Sequence, residues 1–274
     1  MKRILLAIVI LAALFAATGC DRGGGPGRED IEHAREAYSK GLYLEAEKNY
    51  ERYLQDEPQG RFRTEAWNRL SEIAISVKGD LDRAVVLLEA MYLELGTDPE
   101  AAWRIMFQLG DIYAQLGNRS KALESFEKCM VYAVESPEHT YVTQLRMAKL
   151  YRNMGNYDMV AVTLENCADS AKDDDAKARC LYELAQSYSF ISNWNQSRRA
   201  LETLLSLDGV KEQTRVLAVF LLADIYENER DYNKARELLQ SIVKTYPNPK
   251  VVETRLANLP YIEPQKEIPQ PPQN

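Results

Sequence analysis

The sequence predicts an all-α solenoid of about six stacked helix–turn–helix units, and two periodicities predict it. Ala46, Ala84, Ala122, Val160, Ser197 and Ala235 head six similar segments, at successive spacings of 38, 38, 38, 37 and 38 residues. Five residues ahead of the first four stand Gly41, Gly79, Gly117 and Gly155, where a helix must stop and the chain reverse, a place for a residue tolerant of positive φ. So regular a period over 189 residues marks a repeat array. Such units cannot bury their apolar faces alone and must stack.

The elements follow in chain order. Met1-Lys2-Arg3 is a short basic start to an apolar run from Ile4 to Ala17, the length of a signal-peptide core and too short to span a bilayer. Ala17-Thr18-Gly19-Cys20 resembles the lipobox of bacterial lipoproteins, with Ala17 where that motif usually has Leu. The resemblance implies a signal peptide over 1–19, lipid attached to Cys20, and a body outside the cytoplasm. Asp21 resembles the inner-membrane retention signal of enteric bacteria. Residues 20–27, with four Gly and one Pro after Cys20, read as a flexible tether.

Residues 28–248 hold the six units. The third shows the pattern as Leu109-Gly110-Asp111-Ile112-Tyr113, Gly117, Ala122 and Phe126; the sixth as Leu222-Ala223-Asp224-Ile225-Tyr226, Tyr232, Ala235 and Leu239. The second carries one extra residue in its first helix. Gly110, Ala148, Ala185 and Ala223 let the two helices of a unit approach closely, and Tyr113, Tyr151, Tyr188 and Tyr226 fill the space between units. This set is similar to the tetratricopeptide repeat. The resemblance implies a right-handed superhelix whose first helices line a concave, protein-binding groove. A 38-residue period exceeds the family's usual one by about a helical turn, so longer helices or longer loops, such as Gly96-Thr97-Asp98-Pro99 and Ser136-Pro137-Glu138, are expected. Val252, Leu256 and Leu259 give 249–259 the spacing of a short capping helix. The tail 260–274, with five Pro, reads as disordered or polyproline-like.

Little in the chain suggests chemistry. The net charge of -7 offers no electrostatic footprint for nucleic acid. The only histidines, His33 and His139, fall at helix starts or loops, and no metal-ligand pair, phosphate loop or nucleophile–base pair is recognisable. Asp173-Asp174-Asp175 reads as a solvated capping run. The expectation is a chain with no catalytic residue, cofactor, metal or small-molecule substrate. Cys129 and Cys167 occupy a small-residue core position, and Cys167 and Cys180 are candidates for a disulfide between neighbouring units in an oxidising compartment.

The candidate partner surface lies on the first helices. Phe107, Leu145, Tyr182 and Phe220 stand three residues before the small residue of their units, at spacings of 38, 37 and 38. They form a stripe that serves either as groove or as core between units. Arg104, Lys149, Arg152, Arg179, Gln186 and Phe190 fall nearby. An apolar stripe beside cationic and amide groups suits a protein or peptide partner. The expected role is a scaffold or assembly factor of the bacterial cell envelope, facing the periplasm or exterior. The alternative is a periplasmic chaperone or an accessory protein of cell-wall or pilus biogenesis.

Overall fold

The computed structural model describes residues 26–260. The expected signal segment, Cys20, residues 20–25 of the tether and the tail from 261 lie outside the described residues. Thirteen α-helices and no strand occur among the described residues, and the chain divides into two compact units, Met1–Leu95 and Gly96–Asn274.

The N-terminal unit contains α1 (Pro26–Ser39), α2 (Tyr43–Asp56), α3 (Arg63–Glu72) and α4 (Leu81–Leu95). The helix begins at Pro26, within the stretch read as tether, and His33 lies inside it rather than at its start. The extra residue of the second repeat is absorbed after α3, where Ile73–Lys78 form a π-helical turn that ends on Gly79, the usual way a helix accommodates one residue too many. Ile31, Ala34, Tyr50, Leu70, Ile73, Leu88 and Met91 form the core. Arg35 binds Glu65 between α1 and α3 at 2.5 Å. Arg63 and the Trp67 indole both donate to Glu94, between α3 and α4, and those bonds hold the Glu94 carboxyl below its usual range.

The C-terminal unit contains four helix pairs and a last helix. The first helices are α5 (Pro99–Gln115), α7 (Pro137–Asn153), α9 (Asp174–Phe190) and α11 (Glu212–Asn228). The second helices are α6 (Arg119–Tyr132), α8 (Tyr157–Ser170), α10 (Trp194–Leu205) and α12 (Tyr232–Ile242), and α13 (Pro249–Asn258) follows. Every first helix has 17 residues, so the long period is spent on helix and the loops are short. Pro99 and Pro137, read as loop markers, are the first residues of α5 and α7, behind the caps Asp98 and Ser136.

Each first helix packs on its own second helix; α7, α9 and α11 also pack on the second helix of the preceding repeat and, less extensively, on its first helix. Close approach within a repeat requires the small residues. A Cβ added at Gly110 would sit 2.5 Å from the Phe126 ring, and in the fifth repeat buried Ser197 comes close enough to donate its hydroxyl to the Ala185 carbonyl at 2.7 Å. Gly117 and Gly155 turn the chain at φ of 76° and 73°; one and two repeats later Ser192 and Arg230 adopt the same left-handed conformation at 58° and 64°. The repeat frame imposes that conformation even where no glycine is present. The last helix covers the end of the array with buried Val252 and Leu259.

Candidate interaction face

The first helices α5, α7, α9 and α11 present equivalent positions at each repeat, so the face they share can be read column by column. The column directly after the small residue holds Asp111, Lys149, Gln186 and Asp224; the column three residues further on holds Ala114, Arg152, Ser189 and Glu227. A first helix also sends side chains onto the preceding one. Arg146 of α7 binds Asp111 of α5 at 3.0 Å and lies over the Phe107 ring. Burial nevertheless pushes the Asp111 carboxyl above its ordinary range, against the pull of Arg146 and Lys149. In α9 the residue equivalent to Arg146 is Glu183, which accepts from Arg152 at 2.7 Å. Helix α13 treats α11 as α7 treats α5: Arg255 binds Asp224 and Glu227 and caps the Phe220 ring at 4.9 Å.

Phe107, Leu145, Tyr182 and Phe220 are all half-buried. Phe107 meets Phe126 edge-on at 5.8 Å and stacks on Trp103 at 5.1 Å. Leu145 and Tyr182 lie against the core of repeats four and five, and Phe220 packs on Tyr246 at 4.6 Å. The stripe therefore serves as inter-helix packing and shows only part of each side chain to solvent. Gln186 donates to the Tyr182 hydroxyl at 3.0 Å. Arg179 binds the Tyr141 hydroxyl at 3.3 Å and Asp175 at 3.3 Å. Phe190 is 76% exposed and stacks loosely on Tyr157. Arg104 and Lys149 are exposed, and neither makes an ion pair among the described residues.

Three features were not anticipated. The Trp103 and His139 rings stack at 3.7 Å, and the Trp103 indole donates to buried Thr143 at 3.1 Å, tying α5 to α7. Of the three aspartates at 173–175, only Asp173 caps α9. Asp174 accepts from the Gly209 amide at 2.9 Å, and Asp175 binds Lys211 at 2.9 Å, so both fasten the loop before α11. Although burial pushes Asp175 up, its Lys211 and Arg179 partners hold it below its usual range. Repeat-related comparison would have exposed the Asp111 and Asp224 columns; no local motif marks the loop clamp.

Cys167 of α8 and Cys180 of α9 form a disulfide, with Cα atoms 5.8 Å apart. Cys129, one repeat earlier, is a buried free thiol, pushed up to about 12 by burial, and so stays protonated and unreactive. No cluster of three or more metal-ligating side chains occurs among the described residues. None of the described helices is long and apolar enough to cross a membrane.

Three stretches, residues 31–102, 104–130 and 217–249, match models of the tetratricopeptide repeat. No curated protein matches the chain. Among solved structures, the apo form of RapI is similar at 12% identity and a TM-score of 0.65, over 86% of this chain and 70% of RapI. BtubC from P. vanneervenii is similar at 13% identity and 0.55, over 90% of this chain and 96% of BtubC. PilW, a type IV pilus biogenesis factor, is similar at 15% identity and 0.53, over 84% of this chain and 98% of PilW. At such identities the likeness is one of fold, and fold alone does not give function. Proteins built on this repeat are generally non-catalytic interaction scaffolds. The chain carries tetratricopeptide repeats on an all-α solenoid.

Proposed function

We propose that this protein is a non-catalytic scaffold of the bacterial cell envelope that holds a partner protein against the first-helix face of its C-terminal unit. One observation carries the proposal: exposed Arg104, Lys149 and Phe190 flank a half-buried stripe on helices α5 to α9. That mixture of apolar area and charge is what a peptide or helix needs for docking. Photocrosslinking tests it. A photoreactive phenylalanine analogue at Phe190 should capture a discrete partner in cells, whereas the same group at Val131 of α6, also exposed, should capture none. Equal capture from both positions would contradict a first-helix binding face.

Membrane attachment through lipid on Cys20 belongs to the same proposal. The basic start, the short apolar run and Ala17-Thr18-Gly19-Cys20 support it, and the Cys167–Cys180 bond suits an oxidising compartment. A multiply acylated cysteine anchors firmly, each buried methylene contributing about 0.8 kcal/mol. Labelled palmitate should be incorporated by the wild-type chain and not by Cys20→Ser; incorporation by both would remove the anchor from the proposal. Asp21 points to the inner membrane, which fractionation decides.

A further inference from the structure

The charge columns of the first-helix face are closed at one repeat and open at another. In the last repeat the acceptors Asp224 and Glu227 are both satisfied by Arg255, which α13 lays across α11. In the third repeat Asp111 is satisfied by Arg146. The fourth repeat carries the inverse charges at the same two positions, Lys149 and Arg152. The following helix offers it one carboxylate, Glu183, and that carboxylate binds Arg152. Lys149 is left exposed with no ion pair among the described residues, and the Arg152 Nε has no acceptor. The fourth repeat is one carboxylate short of the full pairing seen in repeats three and six.

The space beside Lys149 fits what is missing. A cleft of about 390 Å³ lies between α5 and α7, bordered by Gln115, Lys149 and Asn153, with the Asp111–Arg146 pair at its side. An entering carboxylate would meet two amides and the Lys149 ammonium, which feels Asp111 at a distance but makes no ion pair with it. An entering cation would meet Lys149 and have to displace Arg146 from Asp111. Arg104, also without an ion pair, adds a second uncommitted cation on α5. The whole chain is acidic, at -7, so this local excess of positive charge runs against the rest of the molecule, and two copies of the chain repel at long range.

We infer that the partner held by this face is an acidic, extended segment of another protein, with one carboxylate seated at Lys149 in the α5–α7 cleft and a second held by Arg104. The inference rests on the interaction role proposed above and names the chemistry of the partner. Arg255 on Asp224 and Glu227 is the chain's own version of the contact, with the charges exchanged.

Selection of random peptides of about twelve residues on phage, against the full chain, tests it. Selected peptides should be acidic, and their affinity should fall at least about tenfold in the double variant Arg104→Glu, Lys149→Glu. It should also fall steeply as salt rises toward about 1 M. The control variant Arg199→Glu, Lys244→Glu makes the same change in net charge elsewhere and should keep the affinity. Selection of neutral or basic peptides, or equal weakening by both variants, would overturn the inference while leaving an interaction role intact. Enrichment of no peptide over a blank support would overturn the interaction role itself. Selection that succeeds only after residues 261–274 are deleted would make the chain's own tail the occupant. A dimer in sedimentation that the first variant dissociates would make it a second copy.

Discussion

Repeat four and repeat six of the C-terminal unit are built on one frame and finished in opposite ways. In repeat six, α13 covers the first-helix face: Arg255 neutralises Asp224 and Glu227, and Phe220 is held between its guanidinium and Tyr246. In repeat four the equivalent Leu145 packs on the core, Arg152 is met by the single carboxylate of Glu183 on α9, and Lys149 faces solvent. The turns differ as well, on Gly155 in one and Arg230 in the other. The difference teaches that the charge on this face is matched from within the chain across a half-buried ring in repeats three and six, and only in part in repeat four.

The largest expected effect comes from removing the match. Ending the chain at Asn248 deletes α13 and strips the cover from Val216, Leu239 and Ile242. Loss of buried Val252 and Leu259 alone forfeits roughly 3 kcal/mol or more, and an uncapped solenoid end is prone to aggregate. Thermal melting followed by circular dichroism should show a markedly lower midpoint and lost helicity in α11 and α12; an unchanged midpoint would mean α13 closes nothing. Next, Phe220→Ala should cost about 2 kcal/mol in denaturant melts, since a packed but half-exposed ring is removed. Lys149→Ala should stay within about 0.5 kcal/mol, and equal losses would erase the contrast between closed and open repeats. The smallest effect concerns the turns. Arg230→Gly should stabilise by about 1 kcal/mol because a left-handed conformation strains any residue with a Cβ; a loss of stability would show that Arg230 makes a compensating contact.

The junctions between repeats offer a fourth comparison. Cys129 corresponds to Cys167, and Thr143 to Cys180, one repeat apart. Both sulfur atoms lie near the equivalent carbonyl, Trp103 for Cys129 and Tyr141 for Cys167. Thr143→Cys should therefore form a second disulfide with Cys129, detected as loss of the single alkylatable thiol among residues 26–260 under oxidising, denaturing conditions. A free thiol at both positions would mean that the two junctions differ in register.

Much of the fold was legible because repeats repeat. Gly117 and Gly155 announced their turns through backbone chemistry, and Gly110 and Ala148 announced close helix contacts through size. The extra residue before Gly79 was visible by spacing, but the π-turn that absorbs it was not. Ser192 and Arg230 were illegible as left-handed turn residues, since the conformation is imposed by the frame and not by their own preference. The stripe of Phe107, Leu145, Tyr182 and Phe220 was visible by spacing, yet spacing cannot divide a side chain between groove and core. That division depends on Phe126 and Tyr246 reaching it from second helices and loops. The open charge at Lys149 was hidden for the same reason: it exists only once Glu183 is seen to serve Arg152.

Hydrogen exchange on the full chain, with and without a selected acidic peptide, tests the contrast between open and closed repeats most directly. Protection should rise in α5 and α7 around Asp111 and Lys149 and stay unchanged in α11 and α13. Protection confined to α11 to α13, or to the second helices α6, α8 and α10, would contradict it.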